Sequence, residues 1–265
     1  MTLPLFSTSD DPGPSFAGLL QRVGVDPGYK IAAAAGDELD ISHGTTVVAV
    51  KFDGGVVIGG DRRATAGNLI SHRTMEKVFP ADRWSGVAIA GAAGPAIEMV
   101  KMFQLQLEHY EKVEGHALSL EGKANQLSGM VRNHLPAAMQ GLAVVPLFAG
   151  YDRRRRKGRL FAYDVTGGRY EEENYVASGS GSLHARTVIK MGHREAMASV
   201  DASVDLLLKA LFTAADEDSA TGGPDAMRGI YPIIATITED GYQRLDDDVL
   251  AQRFAAIVAD LTERD

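Results

Sequence analysis

The chain has 265 residues, 45% of them hydrophobic and 23% charged, and a formal net charge of −8 at pH 7. This composition is typical of a globular protein, and the negative charge argues against nucleic acid or an anionic membrane as the main partner. Because the sequence contains no cysteine, it excludes disulfides, thiolate metal sites and a cysteine nucleophile. No apolar run approaches the ~20 residues that a membrane-spanning helix needs.

The first 44 residues have the composition of a leader and not of a folded domain. They are rich in Pro, Gly, Ser and Asp, and the stretch 16–23 has an amphipathic pattern that allows two helical turns. Six acidic residues against two basic ones argue against a mitochondrial transit peptide, and no early basic region marks a secretory signal. We therefore expect a cytoplasmic protein with a poorly ordered leader.

Two pairs of strands are predicted after the leader. TTVVAVKF alternates and is rich in β-branched residues, DGG predicts a turn, and VVIGGD predicts a second strand. Residues 45–61 are therefore predicted to form a β-hairpin. A second pair of strands is predicted at 77–79 and 85–90.

Blocks of helices and strands follow Gly91. Apolar residues recur at helical spacing over 97–107 and again over 120–142, where Pro136 interrupts the pattern. Further strands are predicted at 144–151, 160–164, 170–177 and 230–237, and further helices at 182–195, 204–216 and 250–261. Strands and helices in separate blocks predict an α+β fold, with antiparallel sheets and helices layered outside them.

The sequence contains none of the common catalytic or cofactor motifs. It lacks a His-Glu-x-x-His zinc motif, a phosphate-binding P-loop and a Gly-x-Gly-x-x-Gly dinucleotide motif. Ser180 lies between glycines in GSGSL, but its surroundings lack the other parts of a Ser–His–Asp hydrolase. We therefore predict no metal and no organic cofactor, and a nucleophile that is Ser, Thr, Lys or a carboxylate.

Cleavage of the bond between Gly44 and Thr45 would explain the leader. Thr45 would then begin the mature chain, with its Oγ as nucleophile and its free α-amine, of pKa ~7.7–8.0, as proton acceptor. Gly44 has no Cβ and so tolerates the strained backbone that self-cleavage needs. On periodicity alone, Thr45 is more simply the first residue of an ordinary strand.

Motifs spread along residues 45–245 carry a family resemblance. The stretch HGTTVVAVKFDGGVVIGGDRRAT is followed by EKVF, GVAIAGAAG, GSGSL and DEDSATGGPD. Together they resemble the β subunits of proteasomes, most closely those of the actinobacterial 20S type. The resemblance implies a four-layer αββα sandwich of the N-terminal-nucleophile hydrolases, with two antiparallel sheets between helical layers. It also implies a threonine endopeptidase, with residues 1–44 as a self-removed propeptide and 45–265 as the catalytic domain.

The resemblance assigns a role to several residues of this chain. Thr45 matches the nucleophile, and Asp61 and Lys77 match the buried acidic–basic pair beside it. In such a pair the ammonium favours loss of the proton from the threonine Oγ, and the carboxylate orients the lysine. Gly91 matches the glycine whose backbone N–H stabilises the oxyanion.

Further positions match the family less completely. Ser180 and Asp218 match residues that hold the α-amine and a catalytic water, whereas Thr221 stands where the family often has serine. Thr221 keeps the hydroxyl, but its β-branch restricts the rotamer. The resemblance also implies a specificity pocket of uncharged residues, and we therefore predict cleavage after hydrophobic side chains. The pocket residues are Ala64, Thr65, Met75, Phe79, Ile89, Ala93 and Ile97.

The partners are also implied by the resemblance. Such a subunit forms a heptameric ring with copies of itself, stacked between rings of α subunits in a 28-subunit particle that an ATPase regulator supplies with unfolded or tagged proteins. Two alternatives stay open: a peptidase of the HslV type, which shares the Thr-Thr start, and a structural β subunit that never matures. The basic run RRRRKGR at 153–159 predicts an exposed hairpin tip, solvated or paired with acids at 171–173, more readily than a nucleic-acid site.

Overall fold

The computed structural model describes residues 13–24 and 44–262. Residues 1–12, 25–43 and 263–265 lie outside the described residues. The first two of these ranges belong to the leader, and the prediction that they are poorly ordered therefore stays a prediction. Within the described residues, no helix is both long enough and apolar enough to cross a membrane.

Two five-stranded sheets and one small hairpin contain the strands of the described residues. In chain order the strands are β1 (Thr46–Phe52), β2 (Gly55–Gly60), β3 (Ala64–Ala66), β4 (Leu69–His72), β5 (Val78–Asp82), β6 (Ser85–Gly91), β7 (Val144–Asp152), β8 (Lys157–Tyr163), β9 (Arg169–Glu172), β10 (Tyr175–Gly179), β11 (Ile233–Thr238) and β12 (Gly241–Arg244). The helices are α1 (Phe16–Val23), α2 (Ala93–Glu114), α3 (Leu120–Asn133), α4 (Leu135–Ala138), α5 (Ser182–Ala196), α6 (Val200–Glu217) and α7 (Asp247–Thr262).

The strand pairing is antiparallel throughout these sheets. The first sheet has the order β10-β1-β2-β11-β12 and the second has the order β5-β6-β7-β8-β9, while β3 pairs with β4. In the first sheet Val47 lies opposite Gly60 of β2 on one side and opposite Ser178 of β10 on the other. The predicted antiparallel sheets are therefore confirmed, and β1 lies in the interior of its sheet.

Three apolar layers hold the two sheets and the helices together. Along β1, Val47 and Ala49 belong to the core between the sheets, whereas Val48 and Val50 belong to the core beneath α5, α6 and α7. This alternation is the period-2 pattern of a strand that is buried on both faces. On the other side, α2 and α3 cover the outer face of the second sheet. The result is the predicted αββα sandwich, built from α+β blocks.

Some elements differ from the sequence-based prediction. The single strand predicted at 170–177 is wrong, because β9 lies in the second sheet and β10 lies in the first. The β3–β4 hairpin and β12 were not predicted. Pro136 interrupts the helical pattern as expected, because α3 ends at Asn133 and the short α4 begins with Pro136 in its first turn.

The amphipathic stretch of the leader forms α1, which packs on α2. The Ser15 side chain accepts a hydrogen bond from the N–H of Gly18 and caps the helix, and Gly24 ends it with φ 71°. Leu19 and Leu20 are buried against Leu105 of α2. Residues 13–24 of the leader are therefore packed against the sandwich.

Candidate active site

Thr45 is held directly before β1 by the turn that joins β10 to α5. Its carbonyl accepts a hydrogen bond from the N–H of Ser180 at 2.8 Å, and its own N–H donates to Ser180 Oγ at 3.3 Å. Gly179 has φ +100°, and a Cβ at that position would overlap the Thr45 carbonyl group. A glycine is therefore required where β10 approaches Thr45, which is itself buried.

The Gly44–Thr45 bond is contacted from both sides. The N–H of Gly44 donates to Thr65 Oγ1 at 3.3 Å, and the Gly44 carbonyl accepts a hydrogen bond from Lys77 Nζ at 3.4 Å. A Cβ at Gly44 would overlap the side chain of Ala220. Close packing against Ala220 is thus a direct reason why this position requires glycine.

Asp61 and Lys77 form a buried ion pair next to this bond, with Nζ 2.6 Å from Asp61 Oδ1. Lys77 is 2% exposed and the Asp61 side chain is fully buried. Asp61 Oδ1 also accepts the N–H of Thr46 at 2.9 Å, and Oδ2 accepts the N–H groups of Arg63 and Gly222, each at 2.9 Å. Four donors thus satisfy both oxygens of the buried Asp61 carboxyl group and fix its orientation beside Lys77.

The environment of Lys77 lowers its pKa below the ordinary value of 10.5. Burial is the main cause, because the ammonium loses its hydration, and the Asp61 carboxylate opposes the effect by favouring the charged form. Lys77 Nζ also donates to the carbonyl of Arg63 at 2.5 Å, so Asp61, Arg63 and Gly44 supply three acceptors. This lysine can hold a proton beside Thr45 and gives it up more readily than an exposed lysine.

A second polar network lies on the other side of Thr45. Ser180 Oγ donates to Asp218 Oδ2 at 2.5 Å, and Thr221 Oγ1 donates to the same oxygen at 2.6 Å. Thr221 Oγ1 is also 2.6 Å from Thr46 Oγ1, which accepts the N–H of Gly181 at 3.0 Å. Thr221 therefore makes two hydrogen bonds despite the restricted rotamer of its β-branched side chain.

The charge of this second network is set by Asp218. Burial works to raise the pKa of Asp218, but hydrogen bonds from Ser180, Thr221 and the N–H of Ala220 outweigh it and hold the pKa below its ordinary value. Asp218 is consequently ionised near neutral pH and accepts both hydroxyl protons. The lone pairs of Ser180 Oγ are then available to the nitrogen of Thr45.

Gly91 lies at the end of β6, just before α2. It has φ +111°, and a Cβ there would overlap the carbonyl oxygen of Ala143. Only glycine combines this backbone conformation with so close an approach to β7. The predicted role of the Gly91 N–H toward an oxyanion stays a prediction.

The predicted pocket residues fall into two groups. Thr65 contacts Gly44, and the N–H of Met75 donates to the carbonyl of Arg62 in the same region. Ile89 donates its N–H to the carbonyl of Lys77 at 2.9 Å. The others lie at the start of β3, in β5 and along the first turns of α2: Ala64, Phe79, Ala93 and Ile97. Their role as a specificity pocket stays a prediction.

Several residues of the site were missed by the sequence analysis. Thr46, Arg63 and Gly222 supply three of the hydrogen bonds to Asp61, and Ala220 packs on Gly44. The Thr-Thr pair and the first glycine of DSATGG, Gly222, were visible signals. Their partners were not, since Gly222 and Asp61 are 161 residues apart in the sequence.

Comparison with known proteins identifies the family of this chain. Residues 41–227 match the family described as "Proteasome subunit". A protein named "Proteasome subunit beta" from Acidimicrobium ferrooxidans is 59% identical over 249 residues, which cover 93% of this chain and 90% of that protein. Another of the same name, from Streptomyces griseus, is 56% identical over 238 residues, which cover 90% of this chain and 83% of that protein. The chain therefore belongs to the proteasome subunit family, as a β subunit of the bacterial type.

Proposed function

We propose that this chain is the precursor of a threonine endopeptidase that cleaves its own Gly44–Thr45 bond. One observation carries the proposal: Lys77 Nζ lies 2.6 Å from Asp61 and 3.4 Å from the carbonyl oxygen of Gly44. A buried ammonium at that carbonyl polarises it toward attack. The adjacent hydroxyl is that of Thr45, the residue whose peptide nitrogen would be released.

The self-cleavage is a shift of the acyl group from nitrogen to oxygen. Thr45 Oγ attacks the carbonyl carbon of Gly44, the new C–O bond forms, and the C–N bond to Thr45 breaks. The proton of Oγ ends on the departing nitrogen, which becomes a free α-amine. Water then hydrolyses the ester, so residues 1–44 leave with a carboxylate on Gly44 and Thr45 Oγ regains its proton.

The mature site would use the same groups on substrates. The α-amine of Thr45, held by Ser180 Oγ, accepts the proton of Thr45 Oγ as the hydroxyl attacks a peptide carbonyl, and passes it to the leaving amine. The Gly91 N–H is proposed as donor to the oxyanion, a contribution of ~3 kcal/mol to the barrier. Lys77 keeps the potential near Oγ positive. These steps use residues of the chain and call for no cofactor.

The site belongs to a subunit of an assembly, because members of the proteasome subunit family form multi-subunit particles. We propose a heptameric ring of this chain in the cytoplasm, stacked with rings of α subunits and supplied with unfolded proteins by an ATPase regulator. The predicted pocket residues are uncharged, among them Ala64, Ile89 and Ile97, and this chemistry supports a preference for cleavage after hydrophobic side chains. A panel of fluorogenic peptides in which acidic or basic residues are preferred would contradict that preference.

The two alternatives predict different outcomes. The identities of 56–59% to proteins named "Proteasome subunit beta" favour a proteasome subunit over a peptidase of the HslV type. A structural subunit would retain its leader, whereas the presence of Thr45, Asp61 and Lys77 together favours a chain that matures.

The direct test is the intact mass of the chain after co-expression with its α partner. We expect the wild type to lose residues 1–44, the Thr45→Ala variant to keep them, and the Thr45→Ser variant, which retains a nucleophilic hydroxyl, to lose them more slowly. A full-length wild-type chain inside an assembled particle would identify a structural subunit and exclude the proposed activity.

A further inference from the structure

A basic cleft lies between the end of α2 and the hairpin of β7 and β8, and its wall contains none of the residues described around Thr45. Its volume is about 780 Å³, and Trp84 forms part of its wall. The rest of the wall comes from the loop after α2, the start of α3 and the hairpin: residues 116–121, Lys123, residues 151–155, Arg159 and Glu171. None of these residues takes part in the proposed chemistry.

The cations of this cleft divide into two sets. Arg159 is paired with Glu171, and Lys123 is paired with Asp82, so their charges are compensated. By contrast, Arg153 and Arg154 are exposed and have no carboxylate partner among the described residues, and the exposed Arg155 has only a long contact, 3.9 Å, with Asp152. The guanidinium of Arg153 lies over the Trp84 ring at 4.2 Å. The cleft therefore combines uncompensated positive charge with an aromatic wall in a chain whose net charge is −8.

The leader runs toward this cleft. The carbonyl of Gly13, at the start of the described leader segment, lies 2.9 Å from His109 Nε2, whereas Leu19 and Leu20 pack on Leu105. The leader segment is thus antiparallel to α2. Continued in the same direction, the leader before Gly13 would lead toward the carboxyl end of α2, and His116 in the wall of the cleft follows that end.

The preceding residues have the length and charge to reach the cleft. Asp11 and Asp10 lie two and three residues before Gly13. From His109 to His116 the distance along a helix is about 10 Å, and the three residues from Gly13 back to Asp10 also span at most about 10 Å, which brings the pair to the His116 side of the cleft. We propose that the Asp10–Asp11 pair binds in the basic cleft, next to Arg153, Arg154 and Arg155.

This contact would hold the leader at a site separate from the Gly44–Thr45 bond. Helix α1 and the acidic pair then form one continuous attachment along α2. Cleavage at Gly44 breaks the covalent connection but leaves that attachment intact. Release of the leader therefore depends on ionic strength, since exposed charges contribute to holding it.

The sequence allows a direct measurement, because Trp84 is the single tryptophan and the chain has no cysteine. The experiment uses the full-length chain with Thr45→Ala, so that the leader stays attached, and a nitroxide label on Thr8→Cys. Nitroxides quench tryptophan fluorescence at short range, so we expect strong quenching of Trp84. The pair Arg154→Glu and Arg155→Glu should weaken this docking by roughly fivefold, the effect of losing two exposed ion pairs.

Exchanging the charges of the acidic pair and the arginines distinguishes a specific contact between them from a general effect of the substitutions on the protein. The double variant Asp10→Lys and Asp11→Lys, made by itself, should weaken the quenching of Trp84. Combined with Arg154→Glu and Arg155→Glu, it should restore the quenching, because the opposite charges face each other again. Arg194→Glu, an exposed arginine on α5, should leave the quenching unchanged. Absent quenching, or quenching insensitive to these charges, would overturn the proposal and assign the cleft to another occupant. This outcome is independent of self-cleavage, because the test chain keeps its leader whether or not the proposed function holds.

Discussion

Two buried cations, Lys77 and Arg159, lie in contrasting surroundings. Their side chains are 2% and 3% exposed. Arg159 is paired with three carboxylates, those of Glu121, Asp152 and Glu171. These contacts, led by the hydrogen bond to Glu171, outweigh burial and raise the pKa of Arg159. Arg159 therefore carries a permanent charge that ties α3 to β7, β8 and β9.

Lys77 has one carboxylate partner, and the balance is reversed. Burial outweighs the attraction of Asp61, so the pKa of Lys77 falls. The two side chains are similarly buried, but Arg159 has three carboxylates and keeps its charge, whereas Lys77 has one and loses its proton more easily. We expect the first cation to matter for stability and the second for chemistry, and substitutions at both can test this difference.

The largest expected effect comes from Lys77→Met. Self-cleavage should slow at least ~100-fold, because the group that polarises the Gly44 carbonyl and assists proton transfer is removed. The free energy of unfolding should fall by about 3–5 kcal/mol, since Asp61 is left buried without its partner. Intact mass over time measures the first effect, and denaturant unfolding of the Thr45→Ala form measures the second.

A matched pair of variants makes this result specific. Lys51→Met removes a partly buried lysine of β1 away from Thr45 and should leave cleavage unchanged. Combining Lys77→Met with Asp61→Asn removes the uncompensated charge and should recover stability without recovering cleavage. Cleavage at the wild-type rate in Lys77→Met would show that this lysine is structural, like Arg159.

Arg159→Met should have the opposite profile. We expect the free energy of unfolding to fall by about 3 kcal/mol, the lower end of the range for a broken buried pair, because Glu121 and Glu171 are each 42% exposed. The rate of self-cleavage in the folded protein should stay at the wild-type value. A slowed cleavage in a variant that is still folded would contradict the division of roles.

Substitutions at Thr221 test whether its hydroxyl group, which donates a hydrogen bond to Asp218, contributes to activity. Thr221→Val keeps the shape but removes a donor to Asp218 and the contact with Thr46, so peptide hydrolysis should slow about tenfold. Thr221→Ser retains both contacts and should stay close to the wild-type rate. Equal rates for the valine and serine variants would remove Thr221 from the site.

The sequence predicted the central strands well because their residues alternate between two buried faces. The β1–β2 hairpin and α2 carry strong periodic signals over at least seven residues. Between β9 and β10 the chain passes from the second sheet to the first, and no periodic signal marks this change. Both strands are short, and the difference between them lies in their partner strands. The β3–β4 hairpin was also missed, because its second strand is exposed along its length.

The site was predictable only in part. Thr45, Asp61 and Lys77 came from motif spacing in a family resemblance, and the structure brings Asp61 and Lys77 together beside the Gly44–Thr45 bond. The contact of Ala220 with Gly44 joins residues far apart in the chain. Such contacts depend on how β2, β10 and the loop after α6 pack against one another, and local sequence patterns do not predict the packing of elements that are distant in the chain.

The smallest expected effect concerns the pKa of Lys77 itself. The charge of Arg63 contributes to lowering that pKa, so Arg63→Gln should move it upward, toward 10.5. Between the folded pKa and 10.5 the unfolded chain binds more protons, and the free energy of unfolding therefore rises with pH in that window. Arg63→Gln should narrow the window and reduce the rise. NMR titration of lysine Nζ in full-length Thr45→Ala protein measures the shift, with Arg62→Gln as the neighbouring control. An unchanged pKa in Arg63→Gln would mean that the charge of Arg63 has no part in how readily Lys77 gives up its proton.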